Sequence, residues 1–233
     1  MVVLKELIIR ADLHIHTTYS DGSGTPYEVI KYAIRKGLDV IAITDHNTFR
    51  GALEALRILR EKKLGRPYVI IGNEVRTSVG DVVVLCDETL QELEGKEGID
   101  VYVLYDIAKS NNCFAFPAHP YDVSRVGIGD YVKVLRWDAI EVFNAMSNPL
   151  SNYMALKVCE ELNLPKLSNS DAHIPQLIGI SHNLILVSGL SYDSLINSLR
   201  KGLVRNVCRY PTISQSIDRF SARFRRFLKS LKI

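Results

Sequence analysis

The chain has 233 residues, 47% of them hydrophobic, and a formal net charge of +3. That length supports one substantial core, and no apolar run reaches the ~18 residues of a membrane span. The charge is uneven: residues 205–233 hold eight Lys/Arg and one Asp, against 21 basic and 25 acidic residues before them, so a mildly acidic body carries a basic tail and the total is no nucleic-acid footprint of the whole chain.

Leu7, Ile8 and Ile9 open an apolar strand that runs into A-D-L-H-I-H-T-T-Y-S-D-G at residues 11–22. This stretch places Asp12, His14, His16 and Asp21 within ten residues. In a strand His14 and His16 share one face, because the side-chain period is two. Two imidazoles flanked by carboxylates suit a metal ion, although a lone H-x-H is weak evidence. Thr25-Pro26-Tyr27-Glu28 reads as a helix start, with a cap, a first-turn proline and a capping box, and Gly37 ends that helix. Residues 39–44 form a short apolar strand, followed by Asp45-His46-Asn47 and a helix over roughly 49–64. The strand at 68–71 leads to Gly72-Asn73-Glu74, and 82–85 is its hairpin partner. A helix over 99–110 precedes a strand over 113–118 that ends at His119-Pro120. The strand 138–143 ends near Asn144, and a helix covers 149–162. The strand 165–168 leads to Asn169-Ser170-Asp171-Ala172-His173. A strand at 183–187, a helix at 192–201 and a strand at 203–207 complete the body. Alternating strands and helices predict parallel β/α units. The one boundary is near Tyr210-Pro211, dividing a main domain over 1–210 from a tail over 211–233.

The polar residues fall in a pattern. His14/His16, Asp45/His46, Glu74, His119 and Asp171/His173 each sit at or just past the C-terminal end of an apolar strand. In a β/α barrel those ends converge on one face. Five of the six histidines lie there, leaving His182 as a surface or internally satisfied residue. The pattern predicts a shared metal centre. The mixed His, Asp and Glu donors suit Zn, Mn or Fe better than Ca, and the lack of cysteine argues against a structural zinc site.

The ordered pieces D-L-H-I-H-T-T-Y-S-D-G, I-T-D-H-N, G-N-E, A-H-P, I-E-V-F-N and N-S-D-A-H resemble the PHP (polymerase and histidinol phosphatase) superfamily of metal-dependent phosphoesterases. The resemblance implies a distorted seven-stranded β/α, TIM-like barrel with two or three divalent ions at the strand ends. It implies that His14, His16, Glu74 and Asp171 bind one metal. Glu74 bridges to a second, which His119 also binds, and Asp21, His46 and His173 form the third set. Asp45 is expected to orient an imidazole, and Asp12 either does the same or bonds the backbone. One departure stands out: where many members carry a histidine after the Glu strand, this chain has Asp81, which reads equally as a metal ligand or as the start of a hairpin strand. Arg125 is a displaced candidate for gripping phosphate, against an ordinary surface arginine. Glu141 is expected to be structural, and Asn144 to line the pocket.

The implied activity is hydrolysis of a phosphate ester by metal-activated hydroxide, with His173 a candidate proton donor to the leaving oxygen. A small phosphomonoester of nucleotide, sugar or histidinol phosphate type leads. The alternatives are exonuclease or phosphodiesterase action on short oligonucleotides or bis-phosphorylated nucleotides, a non-catalytic metal-binding interaction module, and a hydrolase of carbon–nitrogen bonds. The T-D-H and S-D-A-H pieces and the absence of a matching lysine argue against the last. In the tail, Ile213, Ile217, Phe220, Phe224, Phe227, Leu228 and Leu231 trace one apolar helical stripe flanked by Arg and Lys. That helix packs on the domain or on a second copy in a homo-oligomer, or it contacts nucleic acid or a membrane surface. Cys86, Cys113, Cys159 and Cys208 are widely spaced without a C-x-x-C, which predicts reduced, mostly buried thiols. With no basic stretch and secretory apolar segment at the N-terminus, a cytoplasmic location is expected.

Overall fold

The computed structural model describes residues 6–230, beginning with β1 (Leu7–Ile15) and α1 (Pro26–Lys36). The capping box forms as read: Thr25 Oγ1 accepts from the Glu28 amide at 3.3 Å, and the Glu28 carboxylate accepts from the Thr25 amide at 2.8 Å. Gly37 ends the helix at a φ of 65°, which glycine adopts without a Cβ penalty. There follow β2 (Val40–Ile43), α2 (Arg50–Glu61), β3 (Tyr68–Arg76), β4 (Asp81–Cys86), α3 (Val101–Ser110) and β5 (Phe114–Pro117). The second half comprises β6 (Ile140–Asn144), α4 (Pro149–Leu162), β7 (Lys166–Asn169), β8 (His182–Val187), α5 (Tyr192–Arg200), β9 (Val204–Val207) and α6 (Ile213–Ser230). No described helix is long and apolar enough to cross a membrane.

Seven strands form one curled sheet in the order β5-β4-β3-β2-β1-β8-β9, and β6 pairs with β7 separately. This is the expected distorted barrel, but among the named strands of the described residues parallel ladders join only β1-β2-β3 and β6-β7. The β3-β4-β5 and β1-β8-β9 pairs are antiparallel. For β3 and β4, the expected hairpin, the reason is connection length: a short turn joins them, too short for the crossover that parallel strands require.

Side chains bridge the two sheets where ladders do not. Asn183 on β8 takes both backbone groups of Ser168 on β7, each at 2.9 Å. Asn169 accepts from the Leu13 amide at 3.2 Å and from Asn183 at 2.9 Å. On the other flank, Asp138 accepts from the Ala115 amide of β5 at 2.9 Å and donates its own amide to the Ala115 carbonyl at 3.1 Å. Barrel closure therefore rests on a few buried amide and carboxylate side chains.

The described residues form two apolar cores. The inner one gathers Ala11, Leu13, Val83, Leu85, Phe114 and Phe116, and α5 seals it through Leu195, Ile196 and Leu199. The outer one lies between the sheet and helices α1 to α4. β1 changes allegiance partway. Ala11 and Leu13 belong to the inner core but Ile15 to the outer one, and the β1–β2 register shifts between Asp12 and Ile15. An extra residue at a bulge swaps the faces and re-aims the chain next to the strand end. His14 and His16 thereby turn inward together.

The expectation of reduced thiols needs one correction. The β4–β5 ladder pairs Leu85 with Phe114, so the next two residues, Cys86 and Cys113, face each other with Cα atoms 4.5 Å apart and form a disulfide. Cys159, buried, and Cys208, exposed, are free. Sequence separation of 27 residues concealed this pairing. The tail helix α6 begins at Ile213 as predicted, with Ile213, Ile217, Phe220 and Phe224 exposed. It meets the body through Ala222, which packs on the outer core, and Arg219, which donates to Met146 Sδ at 2.9 Å. Leu231 and Lys232 lie outside the described residues.

Asn183 is fully buried and satisfies donors and acceptors on both sides of the seam. Replacing it by alanine orphans several buried groups, each worth ~1–3 kcal/mol. Asn183→Ala is expected to lose about 3 kcal/mol or more, read from urea unfolding at constant m-value.

Candidate metal centre

The seam delivers the predicted residues to one end of the barrel. Strand pairing continues one step past β1 and β2. Ile15 bridges to Ala172, His16 donates its amide to the Ala172 carbonyl at 3.0 Å, and His46 bridges to Glu74. His119 and Asp171 turn through positive φ, 32° and 48°. Such conformations cost about 1–3 kcal/mol in non-glycine residues and hold only where the surroundings impose them. Here they aim an imidazole and a carboxylate inward.

Glu74 is the hub. Its Oε2 lies 3.2 Å from His14 Nε2, 3.1 Å from His16 Nε2 and 3.1 Å from His46 Nδ1, and its Oε1 lies 3.0 Å from His119 Nε2. Asp171 Oδ1 adds to the same group, 3.3 Å from His16 Nε2 and 3.7 Å from His14 Nε2. A second group centres on Asp21 Oδ1, 3.0 Å from His173 Nε2 and 3.6 Å from His46 Nε2. Asp81 falls within ligand reach of His46 and Glu74, but Arg76 holds both of its oxygens.

These residues fit divalent metal. His14 Nε2, His16 Nε2, His119 Nδ1, Glu74 Oε2 and Asp171 Oδ1 are buried without a hydrogen-bond partner. Buried polar atoms are normally paired, because an unpaired one costs about 1–3 kcal/mol. Sets of these atoms lie within 4.8 Å of one another, which is the spacing of ligands around an ion. Imidazole and carboxylate together suit Zn, Mn or Fe.

The electrostatics agree. Burial opposes charge on Glu74 and Asp171, yet the surrounding imidazoles, and Arg125 beside Asp171, hold both carboxyls well below their ordinary range. Burial likewise opposes charge on His16, but the Asp171 and Glu74 carboxylates outweigh it and lift the ring to about 10. His46 goes the other way: burial lowers it to about 4, and the neighbouring imidazoles add to the fall. The centre is a nest of negative charge that demands cations.

The residue that orients an imidazole is not the one expected. Asp45 accepts from the Thr17 amide at 2.7 Å, from Thr17 Oγ1 at 2.6 Å and from Ser20 Oγ at 2.6 Å. It therefore pins the loop that presents Asp21. Gly51 lets α2 approach this cluster, since a Cβ there would fall 1.9 Å from Asp45 Oδ2. The orienting role belongs to Glu141. Its Oε1 faces His14 Nδ1 at 3.1 Å, which leaves Nε2 for the centre, and its Oε2 accepts from the His119 amide at 2.8 Å and from Asn144 at 2.9 Å. A lone charge inside the apolar run I-E-V-F-N was the available signal. Asn144 also donates to Asp171 at 3.0 Å, so it positions a carboxylate of the centre. Asp12 accepts from the amides of Ser170 and Gly179, at 3.1 and 2.8 Å, which is the backbone alternative. Arg125 lines the cleft and ion-pairs with Asp171. His182 is buried and faces the Gly179 carbonyl at 3.0 Å, an internally satisfied histidine as read.

A family model described as "PHP domain" matches residues 12–215. An uncharacterised protein of Methanocaldococcus jannaschii is 36% identical over 169 residues, which is 66% of this chain and 94% of that one. The phosphoribosyl 1,2-cyclic phosphate 1,2-diphosphodiesterase of Eggerthella lenta is 33% identical over 96 residues, 34% of this chain and 36% of that enzyme. Among solved structures, a two-domain protein from Bacteroides vulgatus containing a predicted PHP-like metal-dependent phosphoesterase superposes with a TM-score of 0.73 at 20% identity. That match covers 88% of this chain and 66% of the other, so this chain spans a little under two thirds of it.

Glu141→Gln keeps the shape but removes the charge that backs His14. It is expected to weaken metal affinity about 10–100-fold, measured by competition with a chromogenic chelator. Gly51→Ala is expected to disturb the Asp45–Thr17–Ser20 cluster and to cost ~1–3 kcal/mol in urea unfolding.

Proposed function

The chain belongs to the PHP domain family, and we propose that it is a metal-dependent phosphoesterase acting on a small phosphomonoester. One observation carries this reading: buried, unpaired imidazole and carboxylate atoms from four strand ends meet at the floor of a cleft whose walls hold arginines. We assign His14, His16, Glu74 and Asp171 to one ion, Asp21, His46 and His173 to another, and Glu74 with His119 to a further position. Bound there, a divalent ion supplies Lewis-acid charge and lowers the pKa of water from 15.7 to about 7.

The residues of the chain supply the rest. Glu141 and Asn144 hold His14 and Asp171 in place, so the floor is preorganised. Arg125 and Arg219 border the cleft, where guanidinium groups bind the oxygens of a phosphate ester. His173 has Nδ1 facing the Asp171 carbonyl at 2.9 Å and Nε2 facing Asp21, which favours a ligand over a proton donor. The cleft holds about 250 Å³, small for a ligand site, which favours a compact phosphomonoester. A second reading, the end of a short oligonucleotide, draws support from the basic helix α6, which places Arg219 on the rim. A non-catalytic module fits less well with so complete a set of ligand atoms.

Protein stripped with a chelator is expected to be inactive, and Mn or Zn to restore hydrolysis. His14→Ala is expected to lose more than about 100-fold, beyond the range of an outer-shell partner. Rates on a sugar or nucleotide monophosphate, a bis-phosphorylated nucleotide and a short oligomer rank the two readings. If the loaded protein cleaves none of them, both fail.

A further inference from the structure

Arg76 ends β3 and Asp81 begins β4, and the antiparallel register sets them directly opposite each other. The Arg76 guanidinium forks onto the carboxylate, with Nε on Oδ1 and Nη2 on Oδ2 at 3.0 Å. The Asp81 side chain is 1% exposed, whereas that of Arg76 is 32% exposed and lines the same cleft as His46, His119, Arg125 and His173. This is a built-in arrangement: a buried anion fixes a planar cation that remains open to the cleft. The fork leaves Nη1 as donor for a ligand.

The pair bears on what Asp81 does. An ion on Asp81 would stand against the guanidinium that already neutralises it. Among the described residues, the Asp81 carboxylate groups with His46 and Glu74 within ligand spacing but not with His119, so no three-ligand set of Glu74, Asp81 and His119 assembles.

We propose that Arg76 binds the phosphoryl group of the substrate, clamped by Asp81, which is a positioning residue for Arg76 and not a metal ligand. The proposal rests on the phosphoesterase reading and names a contact within it. The oriented guanidinium donor on this wall then comes from the protein, and a phosphate monoester dianion or a terminal phosphate is the ligand class that it recognises in this setting.

The test uses the full chain and inorganic phosphate as probe. Ions per chain are counted by mass spectrometry after saturation with Mn and gel filtration, and phosphate affinity is measured by calorimetry on the loaded protein. Asp81→Asn is expected to keep the wild-type ion count and to weaken phosphate binding a few-fold. Arg76→Gln is expected to keep the ion count and to weaken phosphate binding about tenfold, with Arg76→Lys recovering part of it because charge returns without the fork. Loss of an ion in Asp81→Asn overturns the proposal, as does unchanged phosphate affinity in Arg76→Gln. Circular dichroism melts confirm folding, and should Asp81→Asn not fold, the two Arg76 variants decide. Absence of phosphoester hydrolysis by loaded wild-type protein counts against the function, whereas ion count and phosphate affinity judge this contact separately.

Discussion

Carboxylates crowded together away from water repel one another and resist ionisation unless positive charge stands among them. Glu74, Glu141 and Asp171 are all fully buried around His14. Each is nevertheless held on the charged side, by imidazoles and, at Asp171, by Arg125. Most of the polar architecture follows from this constraint. Imidazoles supply protons, arginines supply permanent charge, and the unpaired atoms between them mark where a divalent ion completes the balance. A metal ion bound here would supply the missing counter-charge of the fold as well as Lewis-acid chemistry.

The same charges explain why the seam is polar. A barrel whose strands all paired would not need Asn169, Asn183 and Asp138 in its interior. Here the strand pairs separate at two places, and side-chain amides and a carboxylate carry the hydrogen bonds across. Asn169 also donates to Glu141 at 2.8 Å, so the bond that helps close the barrel steadies the group that orients His14. Closure and site are one network, and a fault in either reaches the other.

Much of this was legible in the residues. The α1 start and stop follow from local chemistry, since Thr25, Glu28 and Gly37 act within a turn of the backbone they cap. The five strand ends were legible because histidines are few and their positions repeat. What escaped depends on partners far apart in the chain. Glu141 lies 127 residues from His14, and nothing in I-E-V-F-N tells which imidazole it will meet. The resemblance implied that Asp45 orients an imidazole, yet its side chain faces the Thr17 loop. The β3–β4 hairpin was legible, but the other antiparallel pairs and the disulfide were hidden for one reason: register is a relation between strands. The Arg76–Asp81 fork needs that register too, because the two residues face each other only across the β3–β4 pair.

The disulfide between Cys86 and Cys113 gains meaning from where its strands lead. β3 carries Glu74, β4 carries Asp81, and β5 delivers His119 just past its end. A slip of one residue between two such strands would turn every side chain to the opposite face. Hydrogen bonds alone permit that error, since a shifted ladder has nearly as many of them. A covalent tie at the far end of β4 and β5 forbids it. The cross-link therefore acts as an alignment pin, preserving the spacing of the centre at a distance and through chain geometry alone.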